Sequence, residues 1–233
     1  MSDSGKLVNI FKQIPYAAPP VGHLRFQKPR PPDKWEGIRE ASEYGPACMS
    51  NSSTTTSPQK WIDEDCLHLN IFAGADCLKN TVCPVVFYIH GGGFNYDSAV
   101  MFNDDYLVNN FAGHDIVLVI PGIRLGFFGL LTFNNENIVP SNIAAYDLIA
   151  ALMFVQNEIE HFGGDHNHVT LFGHSQGATT VAQFIFSKKI DPDKNINLTT
   201  LGITDFVGLV ILHGIAVEAV EFYYVDSIKP EHQ

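Results

Sequence analysis

The chain has 233 residues, 45% of them hydrophobic and 17% charged, the balance of a globular chain with a sizeable core and not of a disordered one. With 14 basic against 25 acidic side chains the formal net charge is -11, and no Lys/Arg cluster interrupts that excess, which argues against a nucleic-acid partner. The length suits one large domain, taken as residues 1–233.

The opening stretch, MSDSGKLVNIFKQIPYAAPP, has no apolar run long enough for a signal peptide. The prolines of IPYAAPPVGHLRFQKPRPPDKW make the first third loop-like, and NSSTTTSPQ (51–59) reads as a polar surface loop. Asn51 and Asn197 each head an N-x-[ST] sequon, a glycosylation acceptor in a secreted chain. CLHLNIF alternates, with Leu67, Leu69 and Ile71 on one face, and is expected to be a strand. Cys77 and Cys83 flank a five-residue turn; they either close a small loop or stay free thiols.

PVVFYIH (84–90) and IVLVI (116–120) are short continuous apolar runs, suited to central strands covered on both faces, with a crossover helix from Asp104 to Phe111 between them. From Ile143 to Ile159, Ala145, Leu148, Ile149, Leu152, Val155 and Ile159 fall at helical spacing, and Gly163 and Gly164 supply a stop. HVTLF is then a strand, QGATTVAQFIFS a helix, and FVGLVIL the next strand. Alternating strands and helices imply an α/β fold with a mostly parallel sheet. The apolar segment 206–225 contains His213, Glu218 and Glu221, so a strand and short helix are expected there and not a membrane span.

Two motifs carry chemistry. Gly173-His174-Ser175-Gln176-Gly177 fits G-x-S-x-G, a sharp strand-to-helix turn that lifts a serine hydroxyl to the top of a sheet. YIHGGGF (88–94) ends a core strand in three glycines, whose amides can turn toward a developing negative charge. Each is weak alone, since glycine-rich turns are common. Together they place Ser175 as nucleophile and the backbone amides of Gly92, Gly93 and Gln176 as its oxyanion donors. His161, Asp165, His166 and His168 invite a zinc reading, but their spacing matches no closed tetrahedral site; no metal or cofactor is expected.

IPYAAPPVGHLRF, EDCLHLNIF, PVVFYIHGGGF, RLGFFG, FVQNEIEHFGGD and VTLFGHSQGA, in this order, closely resemble the type-B carboxylesterase family, which includes the cholinesterases, from about Ile10 to Leu212. The resemblance implies the α/β-hydrolase fold, with a mostly parallel central sheet and helices on both faces, here ending after the strand that follows the nucleophile helix. It implies a Cys48–Cys66 disulfide and two structural ion pairs, Arg25 with Glu64 and Arg124 with Asp147. The implied substrate is a small-molecule carboxylic ester cleaved through an acyl-Ser175 intermediate.

Departures are local. His174 stands where cholinesterases have an acid that favours a cationic substrate, and Trp61 lies too near Cys66 to be the tryptophan of the loop between those cysteines, so acetylcholine hydrolysis is not expected. PGIRLG lacks the family's asparagine-tyrosine pair, and Tyr146 and Leu148 depart from its helix sequence. A serine esterase also needs a base and an acid, in the order Ser, Asp/Glu, His. In this family both lie beyond the position of Gln233, so the chain is expected to hold the first part of such an enzyme, inactive or very weak alone. His213, at a strand end, and His174 are the local substitutes for a base; packing is the preferred role for the first, and divergence of neighbouring side chains argues against the second. The alternative reading is a non-catalytic cholinesterase-like protein that binds a protein partner, or an inactive fragment. Family habit, cysteines and sequons point to the secretory pathway, the amino-terminal residues to the cytoplasm.

Overall fold

A computed structural model describes residues 1–50, 61–80, 82–133, 135–186 and 198–203. The elements in chain order are β1 (Val8–Pro15), β2 (Ala47–Cys48), β3 (Ile62–Asp63), β4 (His68–Gly74), α1 (Ala75–Asn80), β5 (Cys83–Ile89) and α2 (Asp104–Asn110). They continue with β6 (Val117–Pro121), α3 (Gly126–Leu130), α4 (Ile143–Glu158), β7 (Gly164–Gly173), α5 (Gln176–Phe186) and β8 (Leu198–Ile203). Six strands form one sheet in the order β1-β4-β6-β5-β7-β8, while β2 and β3 pair separately. β6, β5, β7 and β8 are mutually parallel; β1 and β4 extend the sheet in antiparallel fashion.

The apolar runs are continuous because both faces of the sheet are covered. Val85, Phe87, Val117, Val119, Val169 and Leu171 pack with Leu148, Ala151, Leu152 and Val155 of α4 and Val181 and Phe184 of α5. The alternate positions Tyr88, Leu118 and Ile120 pack with Leu107 and Val108 of α2 on the opposite face. This split follows from handedness. The step from β5 to β6 runs one way along the sheet, the steps from β6 to β7 and from β7 to β8 run the other way, and right-handed crossovers then place α2 opposite α4 and α5.

β5 and β7 are therefore neighbours whose chains leave in opposite directions. Outside the carboxyl ends of two such strands a crevice opens, the usual place for a ligand in an open α/β sheet. The loops that border it are the glycine run after Ile89 and the turn after Gly173.

Several expectations shift. The proline-rich first third contains an edge strand, β1, hydrogen-bonded to β4 with a bulge between Phe11 and Ile14. Every residue of β4 is buried, not the alternate ones alone, because β4 lies between β1 and β6. On α4 the inward face is Ile143, Ala144, Asp147, Leu148, Ala151, Leu152 and Val155, while Ala145 and Ile149 are half-buried. A parallel strand after α5 is described at Leu198–Ile203; the expected strand at 206–212 lies outside the described residues.

Both disulfides are formed, Cys48–Cys66 and Cys77–Cys83, which settles the second pair as a closed loop between α1 and β5. Arg25 grips Glu64 through two bonds of 2.5 Å. Arg124 reaches Asp147 through Nε (2.9 Å) and Nη2 (2.6 Å), with both side chains buried. Among the described residues no helix is long and apolar enough to cross a membrane.

Candidate active site

β7 runs without interruption to Gly173, and α5 begins at Gln176. Two residues make the whole reversal, and Ser175 meets that demand with φ +57°, a left-handed conformation that ordinary side chains rarely adopt. Holding it costs on the order of 1–3 kcal/mol, which the surrounding contacts must offset. The offset is visible in the close backbone packing. The His174 amide donates to Ile89 O at 3.2 Å, and the Gly177 amide to His174 O at 2.9 Å. A Cβ at Gly177 would lie 2.1 Å from Ile89 O, so only glycine lets α5 approach the end of β5 this closely.

The glycine loop folds back over the same turn. A Cβ at Gly91 would lie 3.1 Å from the Ser175 Cβ and 2.9 Å from His174 Nδ1. The elbow and the loop are thus in van der Waals contact at Gly91, and His174 and Ser175 both face it. The loop is tightly curled: Gly92, Gly93, Phe94 and Asp97 all have positive φ. Gly92 O accepts from the amides of Asn95 and Tyr96, both at 3.1 Å. In a trans peptide the N–H points opposite to the carbonyl, so the Gly93 amide is turned away from the loop interior.

Among the described residues, the amides of Gly92, Gly93 and Gln176 donate to no protein acceptor. For Gln176 this follows from its place at the first turn of α5, where backbone N–H groups have no partner within the helix. The N-terminus of α5 also carries the positive end of its helix dipole, which favours an anion there. Three unpaired donors thus lie on the two loops that border the crevice, beside a half-buried serine. Such an arrangement can stabilise a negatively charged oxygen formed next to Ser175.

Two buried polar side chains, His90 and Gln176, belong to this region. His90, fully buried, places Nδ1 2.7 Å from Gly91 O, and burial holds its pKa below the ordinary value. The Gln176 carboxamide is also buried, with neither polar atom hydrogen-bonded among the described residues. Neither feature was visible as a motif, because each depends on what the fold brings alongside.

The other expected residues distribute as follows. His166 Nδ1 pairs with Glu160 at 2.7 Å and the exposed His161 lies 3.8 Å from Glu158; no group of three metal-ligating side chains forms among the described residues. Trp61 is half exposed beside β3. Asn51, Asn197 and His213 lie outside the described residues.

Comparison with known proteins agrees with this architecture. The chain is 40% identical over 189 residues to carboxylesterase 5A of Homo sapiens, an alignment covering 77% of this chain and 32% of that protein. It is 37% identical over 178 residues to gut esterase 1 of Caenorhabditis elegans, covering 76% and 31%. Two solved esterases share the fold: a PNB esterase at TM-score 0.69 and 34% identity, covering 78% of this chain and 38% of that one, and a thermophilic PNB esterase at TM-score 0.74 and 31% identity, covering 86% and 41%. The chain spans about a third of the length of the curated relatives it matches. The sequence profile of the carboxylesterase family matches residues 1–194, from the amino-terminal residue through α5 and the segment after it, and the chain belongs to that family.

Proposed function

We propose that this chain carries the nucleophile and oxyanion donors of a carboxylic ester hydrolase. Ser175 attacks the ester carbonyl carbon, and the carbonyl oxygen becomes an oxyanion received by the amides of Gly92, Gly93 and Gln176. The alcohol leaves to give an acyl-serine, which water then hydrolyses. The single observation that supports this reading is the contact of the glycine loop with the Ser175 turn at Gly91, on loops whose Gly92, Gly93 and Gln176 amides donate to no protein acceptor among the described residues.

The serine proton needs a base, and that base needs an orienting acid. We assign both to residues outside 1–186, in keeping with the short span of this chain against its relatives. The substrate proposed is an uncharged small-molecule ester. His174 occupies the place of the acid that suits cholinesterases to a cation, and its imidazole rests against Gly91. The compartment proposed is an oxidising one such as the secretory pathway, a reading that the two disulfides support.

Turnover of p-nitrophenyl butyrate and of acetylcholine by the native protein that contains this chain tests the proposal. Hydrolysis of the neutral ester, its loss in Ser175→Ala and a much weaker reaction with acetylcholine are expected. Equal turnover by Ser175→Ala would overturn it.

A further inference from the structure

We propose that His90 is a positioning residue: it fixes the orientation of the Gly91–Gly92 peptide so that the Gly92 amide faces the oxyanion. The inference rests on the reading of Gly92 as a donor and goes beyond it by naming what aims that donor.

The argument starts from one contact. His90 Nδ1 lies 2.7 Å from Gly91 O. A carbonyl oxygen only accepts, so Nδ1 carries the proton and the ring is held as the Nδ1–H tautomer. The peptide between Gly91 and Gly92 is trans, and in a trans peptide carbonyl and N–H point in opposite directions. Pinning the Gly91 carbonyl to the buried ring therefore sends the Gly92 N–H the other way. Gly92 itself resists this least and needs the restraint most: its φ of +111° is a glycine conformation, and a flexible glycine peptide flips easily unless a neighbour holds it.

The two donors of the loop are then aimed by separate devices. Gly93 is aimed by the amides of Asn95 and Tyr96 on Gly92 O. Among the described residues, Gly92 is aimed by His90, whose ring is the partner of Gly91 O. The ring is suited to the task because it is immobile: its exposure is 1%, at the end of a strand paired on both sides. Burial favours the neutral ring, which has a single N–H to give, over the influence of the Gly91 carbonyl and of Asp97. A flipped peptide would present the Gly91 carbonyl oxygen to the developing oxyanion, replacing attraction by repulsion. His90 touches no reacting atom; it acts through Gly92.

Two measurements on the native protein test this. The first is the ¹⁵N spectrum of the histidine imidazoles, with His90→Asn used to assign the signal. The proposal requires His90 protonated at Nδ1, and an Nε2–H tautomer would overturn it. This readout does not depend on Ser175, so it stands even where the nucleophile reading fails. The second is the kinetics of Ser175 labelling by a fluorophosphonate. His90→Ala is expected to lower the maximal labelling rate about 100-fold, the loss of one oxyanion donor, with the apparent affinity for the probe unchanged. His90→Asn, whose carboxamide nitrogen can replace Nδ1, is expected to restore most of that rate. Where His90→Ala does not fold, His90→Gln decides: its amide nitrogen lies nearer the place of Nε2, and a rate equal to that of His90→Asn would overturn the proposal. Absence of any wild-type adduct at Ser175 would count against the nucleophile, and the tautomer would still decide the case for His90.

Discussion

Ser175 is held in a left-handed backbone conformation by contacts that tolerate almost no added atom. Gly177→Ala would press a Cβ to 2.1 Å from Ile89 O, a backbone atom that cannot rotate away. We expect it to cost about 1–3 kcal/mol of stability, read by denaturant unfolding, and to slow Ser175 labelling in step. Gly92→Pro removes a proposed donor outright, but it also forces φ away from +111° and presses a Cβ to 2.0 Å from Tyr96 O, so a loss of turnover of at least about 100-fold is expected together with a loss of stability. Near-normal turnover would remove Gly92 from the donor set. His68 offers a prediction away from the site. Burial, aided by the Arg39 charge, pushes its pKa from 6.5 down to about 4. Between those values the unfolded chain binds a proton that the folded chain does not. Stability is therefore whole above about pH 6.5 and falls as the pH drops toward 4, by up to roughly 3 kcal/mol. Unfolding midpoints at pH 7.5 and 4.5 check this, and His68→Gln should flatten that part of the profile. At this scale the tight turn at Ser175 and the curl at Gly92 and Gly93 were legible as backbone conformations, because a short motif records local backbone needs. His90 and the buried Gln176 carboxamide were not, since a polar group's partner is chosen by the fold and leaves no pattern of its own.

Among the elements, the parallel strands β5, β6 and β7 and helices α2, α4 and α5 were readable from hydrophobic period and glycine stops. β1 was missed for a physical reason. Its first six residues are only half-buried at the sheet edge and its bulge interrupts the alternation, so neither a core run nor a clean period of two survives. Of the expected α4 stripe, Leu148, Leu152, Val155 and Ile159 are buried while Ala145 and Ile149 are half-buried; the stripe is poorly defined because almost every residue of that helix from Ile143 to Phe154 is apolar or small. Its one buried charge, Asp147, is answered by Arg124 beneath the loop after β6. Removing one partner leaves the other buried and unpaired, so Arg124→Met is expected to cost about 3–5 kcal/mol, and Arg124→Met with Asp147→Leu much less than twice that. A double-mutant cycle by chemical denaturation measures the coupling. The Cys77–Cys83 bridge ties α1 to the start of β5. Non-reducing peptide mapping should recover both bridges as intact pairs; free thiols at either pair would contradict the fold described.

For the whole molecule, the meeting of the two motifs follows from the order of the strands. The parallel strands β5 and β7 send their connections to opposite sides of the sheet, and the two motifs that sequence distance separates meet at the carboxyl ends of these strands. That juxtaposition explains why neither motif was informative alone and why the pair was. Membership of the carboxylesterase family is shown by the sequence profile over residues 1–194, and the ester chemistry proposed for Ser175 rests on the meeting of the two loops. The acyl and alcohol pockets are not readable from these residues, because the chain spans about a third of its relatives. The most direct test is to treat the native protein with a fluorophosphonate probe and map the adduct by peptide mass, with Ser175→Ala as control. The account expects one adduct per chain, on Ser175 and lost in the variant. A folded, esterase-active protein labelled at another serine would contradict it.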